Sequence, residues 1–334
     1  MFILFLILFL VGSNLAVYLG FEIISKKINF FDKPDGDLKK HSKPISLMGG
    51  TILLLNLYLI IFFSKILNLE NILFNDRFLF IFILLTTCFY VIGVVDDLIK
   101  ITPNKKLFLI IFTVLFAIYF FPEIKLDLIK ISFLTKYYYF NSLFSVFFIV
   151  LAFALLVNAM NMFDGLNLQL ILFTTIVFIL FISKGFIPSF FALSLICLIM
   201  LGVLNYQNRV YLGDSGSYLV SAILGFTFIY QYKTYNNFLF GDEVFIIFLI
   251  PAIDMFRLFF VRLVRGKHPF KGDLNHIHHI VNNFTKNNNI TLIITIGLCI
   301  IPLILLFFRL PTYIILFVSC IIYFTIISYL RFKN

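Results

Sequence analysis

The sequence has little charge, few cysteines and no tryptophan. Only 13% of its 334 residues are Asp, Glu, Lys or Arg, whereas 62% are hydrophobic. Soluble domains are about one-quarter charged, so this composition excludes an ordinary soluble enzyme. The four cysteines lie singly in apolar runs, without the spacing of a metal or redox site. No fixed-period repeat or low-complexity linker divides the chain, which predicts one integral membrane domain over residues 1–334.

The sequence also lacks the combined aromatic and basic pattern that is typical of nucleic-acid binding. Its formal net charge is nonetheless +10, from 26 basic and 16 acidic residues. We therefore expect the positive charge to reflect membrane topology and anionic partners, and no nucleic acid among the partners.

Long apolar runs make up most of the chain, and they are long enough to cross a bilayer as helices. Eleven are predicted, at about 1–24, 47–64, 78–95, 107–121, 141–158, 168–183, 187–204, 216–231, 243–262, 290–308 and 311–331. The first run has no basic region before it and no small-residue cleavage site, which predicts a retained helix and not a signal peptide. The predicted fold is therefore all-α and polytopic, with about eleven transmembrane helices.

The distribution of basic residues predicts the orientation. Of the 26 Lys and Arg residues, 17 lie in loops after odd-numbered runs or at the C-terminus, and 8 lie in loops after even-numbered runs. Since cytoplasmic loops carry the excess of Lys and Arg, we expect the N-terminus outside and the C-terminus in the cytoplasm. Five polar segments, each after an odd-numbered run, interrupt the apolar sequence at 33–41, 93–106, 158–167, 212–217 and 262–279. Together they contain all five histidines. We expect these segments to share one site on the cytoplasmic face.

Two of the polar segments carry carboxylates suited to a metal ion. Asp96 and Asp97 end the third run, where they are either a solvated helix end or a pair that holds a divalent metal or takes a proton. Asp214 lies in Leu212-Gly-Asp-Ser-Gly-Ser217. That segment is either a capped turn, or a helix N-terminus that receives phosphate while Asp214 binds Mg2+.

A third segment carries amides. Asn158, Asn161 and Asp164 are spaced by three residues, which places them on one face of a helix. They either cap a helix end that stops at Gly165, or bind a nucleobase edge or sugar hydroxyls.

The last segment carries imidazoles and basic residues. His276 and His279 lie one helical turn apart and follow Arg262 and Arg265. They belong to a polar loop, to a zinc site, or to a cluster that binds phosphate and transfers protons, and the basic neighbours favour the cluster.

Two further charged groups have simpler interpretations. Asp254 and Arg257 lie inside the ninth run at a spacing of three, which predicts that they pair with each other. The basic residues before Gly49-Gly50 are typical of a positive-inside loop.

Together, these segments resemble the motifs of the polyprenyl-phosphate N-acetylhexosamine-1-phosphate transferases, the glycosyltransferase 4 family that starts bacterial envelope glycans. The resemblance covers residues from about 32 to 280, with the motifs in family order. The matching segments are Asp32–His41 with Pro44 and Gly49-Gly50, Gly93-Val-Val-Asp-Asp-Leu98 with Lys106, Asn158-Ala-Met-Asn-Met-Phe-Asp-Gly165, Leu212–Ser217 and Pro269-Phe-Lys-Gly-Asp-Leu-Asn-His-Ile-His-His279.

The resemblance implies an eleven-helix protein of the bacterial inner membrane that uses Mg2+, or Mn2+ in its place. The implied donor is a UDP-N-acetylhexosamine, the acceptor is undecaprenyl phosphate, UMP leaves, and a homodimer is compatible with the family. The His-x-His-His pattern resembles the GlcNAc-type branch more than the branch that uses UDP-MurNAc-pentapeptide.

The resemblance also implies a role for each site residue. Asp214 is the implied metal ligand with Asp97 as its helper, and Asp96 is the implied base toward the lipid phosphate. His276 and His279 are implied at the pyrophosphate. The residues implied in substrate binding are Lys43, Lys106, Asn158, Asn161, Asp164, Asn167, Arg262, Arg265 and His278.

The sequence departs from the family pattern at a few positions. Asn167 and Leu168 stand where Asp and Gly are usual, Leu274 replaces an Arg, and Leu38 and Leu47 stand where Arg is common. Since the acids and histidines are intact, we interpret these changes as altered donor specificity and not as loss of activity. Two rival functions are a transporter, compatible with charges inside the ninth run, and a nucleotide-sugar binder without turnover.

Overall fold

The structure is a computed structural model that describes residues 2–32, 44–69, 72–134, 137–234, 239–266 and 274–333. Its helices are α1 (Phe2–Ile28), α2 (Gly49–Ile66), α3 (Asp76–Ile99), α4 (Pro103–Phe120), α5 (Ser142–Phe163), α6 (Gln169–Ser183), α7 (Pro188–Tyr206), α8 (Gly213–Thr234), α9 (Gly241–Ile247), α10 (Leu249–Val264), α11 (Ile277–Thr285), α12 (Asn288–Phe307) and α13 (Thr312–Lys333). Two short antiparallel sheets pair β1 (Phe31–Asp32) with β2 (Ile45–Ser46), and β3 (Leu128–Lys130) with β4 (Tyr137–Tyr139).

Polar and proline residues set where several helices begin. The side chains of Asn75, Asn141 and Asn287 each accept a hydrogen bond from a first-turn backbone N–H of α3, α5 and α12. Such caps satisfy donors that have no partner within the helix. Pro103 and Pro188 begin α4 and α7, where their missing N–H costs no hydrogen bond.

A helix occupies each of the eleven predicted runs, but not every helix is long and apolar enough to span a membrane. In the described part of the chain, eight helices meet that condition, or nine if α9 and α10 form one span bent by 75°. The α6 helix is apolar but has only 15 residues, too few to meet that condition. The protein is therefore an all-α, multi-pass membrane protein, whereas the count of eleven spans and the orientation of the termini stay predictions.

The chain divides into two compact units, each built from two stretches of sequence. Unit 1 comprises residues 1–101 and 170–223, and unit 2 comprises residues 102–169 and 224–334. Within unit 1, α1 and α2 pack against α7, and Asn14 donates a buried hydrogen bond to Asn56 (2.7 Å). Within unit 2, α5 packs against α4 and α10, and α11 packs against α12 and α13. The prediction of one transferase domain over residues 1–334 stays a prediction.

Candidate active site

Two predicted site acids of unit 1, Asp97 and Asp214, meet at the beginning of α8. The Asp97 carboxylate accepts hydrogen bonds from the backbone N–H groups of Asp214 (2.9 Å) and Ser215 (3.0 Å), one on each oxygen. The first N–H groups of a helix have no partner within it and carry partial positive charge, so a carboxylate stabilises them. Asp97 therefore caps α8 from α3. The sequence offered this helix N-terminus as a phosphate site, but its Asp214 and Ser215 N–H groups already donate to Asp97.

Three glycines from three motifs allow this close approach. A Cβ on Gly50 would stand 2.5 Å from the backbone nitrogen of Gly216, and a Cβ on Gly93 would stand 2.4 Å from the Cα of Ser215. Gly213 has φ +73°, and a Cβ there would lie 2.8 Å from the Asp97 carboxylate. Side chains at these positions would push the α8 N-terminus away from α2 and α3.

The three acids of unit 1 have different environments. Asp96 is only 1% exposed; one of its carboxylate oxygens accepts from the Ile101 N–H (3.1 Å), and the Tyr218 hydroxyl lies 3.4 Å from the other. Asp97 and Asp214 are both partly exposed. Of these three acids, Asp97 and Asp214 are therefore the ones that can reach a bound ion without local opening.

The donor set at the start of α8 fits Mg2+. Two carboxylates offer the hard oxygen ligands that this ion prefers, and Mg2+ sites in proteins commonly combine one or two carboxylates with substrate phosphates and water. Within the described residues, no group of three or more His, Cys, Asp or Glu side chains could hold a metal. An ion held by Asp97 and Asp214 would take its remaining ligands from substrate phosphates and water. The zinc alternative for the histidines finds no support in the described residues.

The amide motif lies in unit 2, at the end of α5. Asn158 donates from its side chain to the Ala154 carbonyl (2.7 Å), one turn earlier, while Asp164 is the residue that ends the helix. Asn161 lies in the last turn between them. Asn167 and Leu168 follow in a turn, and Leu168 has φ +69°. Glycine adopts this left-handed conformation without steric cost, so Leu168 occupies backbone suited to the glycine usual in the family.

The histidine motif also lies in unit 2, and its rings pack on one another. His276 precedes the first residue of α11, and its ring lies parallel to that of His278, with 5.6 Å between centroids. The rings of His278 and His279 are 4.2 Å apart. Burial is the main reason that the pKa of His278 lies well below its ordinary value, and the neighbouring imidazoles lower it further.

Gly165 joins the amide motif to the histidine motif. A Cβ on Gly165 would stand 2.0 Å from Nε2 of His278, which is 2% exposed. The sequence interpretation of Gly165 was a helix stop, and it does follow the end of α5 directly. The His278 ring lies so close that only glycine fits at position 165, which is a second reason for glycine there. The sequence did not indicate this contact.

A buried carboxylate supports the histidines. Asp254 pairs with Arg257 (2.7 Å), as predicted, and it also bonds to Nδ1 of His276 (2.8 Å). The Tyr323 hydroxyl of α13 donates to the same carboxylate (2.6 Å). Sequence reasoning assigned Asp254 only to the ion pair, although a carboxylate inside an apolar run is itself a signal of function.

The remaining predicted basic residues have separate locations. Arg262 lies in the last turn of α10 and is only 3% exposed, and Arg265 follows the end of that helix. Lys106 lies in the first turn of α4. Lys43 lies outside the described residues, as do the other predicted basic positions at 33–41 and the stretch 267–273 that precedes the histidines.

A cavity of about 540 Å3 lies within unit 2 and was not predicted from the sequence. It runs between α5, α8, α9 and α10, and apolar side chains line nearly all of it, including Phe148, Phe153, Leu156, Phe228, Phe248 and Met255. Phe248 is the residue at which α9 and α10 bend, so the break in this helix pair borders the cavity.

Known proteins match the part of the chain that carries these motifs. Residues 79–232 match the family described as Glycosyl transferase family 4. The match covers a little under half of the chain, and it agrees with the resemblance that the motifs indicate.

Among curated relatives, the undecaprenyl-phosphate alpha-N-acetylglucosaminyl 1-phosphate transferase of Escherichia coli (strain K12) is 31% identical over 160 residues, 43% of this chain and 40% of the relative. The protein of the same name from Thermotoga maritima is 26% identical over 269 residues, 78% of this chain and 75% of the relative. The one from Yersinia pestis is 30% identical over 140 residues, 37% of each chain. The chain thus spans about two fifths of the length of the first of these relatives.

The match to glycosyl transferase family 4 contains the acids of unit 1 and the amide motif. Asp96, Asp97, Asn161, Asp164 and Asp214 all lie between residues 79 and 232. The histidine motif and its supporting carboxylate lie beyond residue 232.

Proposed function

We propose that this chain transfers N-acetylhexosamine 1-phosphate from a UDP-sugar to undecaprenyl phosphate. The observation that carries the proposal is the meeting of Asp97 with the Asp214 segment at the start of α8, within the region that matches the family. The relatives' names describe the same class of reaction. An oxygen of the lipid phosphate attacks the phosphorus that bears the sugar, the bond to the other donor phosphate breaks, and UMP leaves.

Asp214 and Asp97 would hold Mg2+, which would supply positive charge to the donor pyrophosphate. Phosphoryl transfer depends mainly on positioning and charge neutralisation, so few further groups are required. We propose that Arg262 and Arg265 supply further positive charge to the substrate phosphates. We propose that His276 and His279 bind the pyrophosphate. Direct attack by the lipid phosphate and a two-step route through an aspartyl-phosphate both fit this set of groups.

Asp96 is proposed to keep the acceptor phosphate oriented or deprotonated. Its carboxylate is buried and bonded to the Ile101 N–H. That burial favours the orienting role, because a general base needs direct contact or a water path to the proton it accepts.

The amide motif is proposed as the nucleotide-sugar site. Asn158, Asn161, Asp164 and Asn167 offer donors and acceptors for a base edge and sugar hydroxyls. We propose a GlcNAc-type donor over UDP-MurNAc-pentapeptide. Because Asn167 stands where the family usually has Asp, a modified N-acetylhexosamine is proposed as the preferred sugar.

The apolar cavity of unit 2 supports a lipid acceptor. A polyprenyl chain is a long hydrocarbon, and a cavity lined by aromatic and aliphatic side chains removes such a chain from polar surroundings. We propose that the enzyme lies in the bacterial inner membrane and that its reaction takes place on the cytoplasmic face. The excess of basic residues in loops after odd-numbered runs supports that orientation.

The decisive experiment incubates purified protein with undecaprenyl phosphate, Mg2+ and a panel of UDP-sugars. Release of UMP together with a lipid-linked sugar pyrophosphate is expected for at least one N-acetylhexosamine donor. Asp214→Asn should lower the rate by orders of magnitude. The matched control is Asp76→Asn, because Asp76 is exposed and pairs with Lys65.

Two results would contradict the proposal. A UDP-sugar that binds without release of UMP would indicate a nucleotide-sugar binder. Uptake of an intact UDP-sugar into proteoliposomes, again without UMP release, would indicate a transporter.

A further inference from the structure

The carboxylate of Asp254 is almost completely buried in the bent helix pair, yet four donors surround it. The side chain is 5% exposed. One oxygen accepts from Nη2 of Arg257 (2.7 Å), the Tyr323 hydroxyl (2.6 Å) and the Ile277 N–H (3.2 Å). The other oxygen lies 2.8 Å from Nδ1 of His276. A buried carboxylate with this many donors is stabilised in its ionised, accepting form.

The two oxygens have different partners, and this division carries the argument. Arg257 and Tyr323 bond the first oxygen and also each other, through Nε of Arg257 (2.9 Å). The second oxygen has His276 as its only hydrogen-bond partner among the described residues. If Asp254 served only to stabilise the fold through its ion pair, the contacts of the first oxygen with Arg257 and Tyr323 would be sufficient. The second contact acts on His276 alone.

Because an ionised carboxylate only accepts hydrogen bonds, the proton between Asp254 and His276 belongs to Nδ1. The neutral ring then has its lone pair on Nε2. The parallel His278 ring holds the plane of His276 from one side. Arg257 also donates to the Asn275 carbonyl (2.7 Å), which ties down the residue before His276.

We propose that Asp254 is a positioning residue for His276: it fixes the tautomer that carries the proton on Nδ1 and leaves the Nε2 lone pair to accept a hydrogen bond or a proton from the substrate. The kinetic part of this inference rests on the proposed function, whereas the tautomer itself does not. Tyr323, on the last helix, is the group that holds the Asp254 carboxylate in place together with Arg257.

The first test is spectroscopic and uses the wild-type protein. With 15N-labelled histidine in detergent-solubilised protein, the His276 resonances are assigned by comparison with His276→Gln. At a pH where the ring is neutral, Nδ1 should show the protonated shift and Nε2 the unprotonated shift. The opposite pattern would overturn the inference, even if the transferase activity proves absent.

The second test is kinetic. Asp254→Asn keeps the size of the side chain but offers an amide that can donate to Nδ1, which favours the other tautomer. The kcat should fall by about a hundredfold or more, as expected when a histidine loses the carboxylate that sets its tautomer. The KM for the UDP-sugar should stay within about threefold, because the change acts on the ring state and not on uniform binding. An unchanged kcat would refute the positioning role.

Two further variants keep the test decisive if Asp254→Asn folds poorly. Asp254→Glu retains the carboxylate, so it should recover part of the lost kcat and keep the Nδ1–H tautomer. Tyr323→Phe removes one partner of the oxygen that does not contact His276, so it should preserve the tautomer with a smaller loss of kcat. Equal losses for all three variants, with no change in tautomer, would show that Asp254 is only a scaffold.

Discussion

The contact between Gly165 and His278 makes the sharpest prediction about the site. In Gly165→Ala, the new Cβ would lie 2.0 Å from Nε2 and 2.2 Å from Cε1 of the His278 ring. Ordinary contact begins near 3.4 Å, so the ring must retreat by about 1.4 Å. The ring is buried between two other imidazoles and has little space into which to move.

The expected cost is that of overpacking a filled interior, about 1–3 kcal/mol of unfolding free energy. It is measured by unfolding the detergent-solubilised protein with SDS in mixed micelles, followed by circular dichroism. Gly297→Ala is the matched control, because a Cβ on this α12 glycine meets nothing within 4 Å. That control should raise the free energy of unfolding by about 0.5–1 kcal/mol, because alanine is the better helix former and meets no neighbour.

A double-mutant cycle identifies the ring as the cause. In a His278→Ala background the space beside Gly165 is open, so adding Gly165→Ala should cost less than about 0.5 kcal/mol. The transferase rate of Gly165→Ala should also fall by about a hundredfold, since a displacement near 1 Å disturbs the alignment of His276. Equal costs of Gly165→Ala in both backgrounds would refute the contact on which the reasoning depends.

Three further predictions concern stability. Asp97→Asn should lower the free energy of unfolding by about 1–2 kcal/mol even with a chelator present, because it replaces the charged cap of α8. An unchanged free energy of unfolding in the presence of the chelator would show that Asp97 does not stabilise α8 and would leave it only a role in metal binding. At Leu168, whose φ is +69°, Leu168→Gly should be more stable than Leu168→Ala by about 1 kcal/mol, and the reverse order would show an unstrained backbone. The lowered pKa of His278 means that the folded state resists its protonation, so stability is full above the unfolded pKa near 6.5 and falls below it by up to about 1.4 kcal/mol per pH unit. Comparison with His278→Gln between pH 7.5 and 5 checks this slope, and parallel curves would contradict it.

Composition and local pattern alone determined the class of this protein. Low charge and repeated apolar runs predict a multi-pass helical membrane protein, because only internally bonded backbone is stable in hydrocarbon. The motifs were also recognisable locally, since their residue types and spacings reflect the chemistry of phosphates and carboxylates. The family prediction is supported by the match over residues 79–232. The metal, the donor sugar and the roles of the site residues stay predictions.

Tertiary structure alone decided what each of these residues contacts. Asp97 is separated from Asp214 by more than a hundred residues, and Gly165 from His278 by a similar distance, so no local spacing relates them. Their proximity depends on which helices pack together and on how closely glycine lets them approach. The bond from His276 to Asp254 depends in the same way on the packing of α11 and α13 near α10. The assignment of chemical roles to these groups stays a prediction from the sequence, whereas packing decided that Asp97 caps a helix and that Asp254 bonds to a histidine.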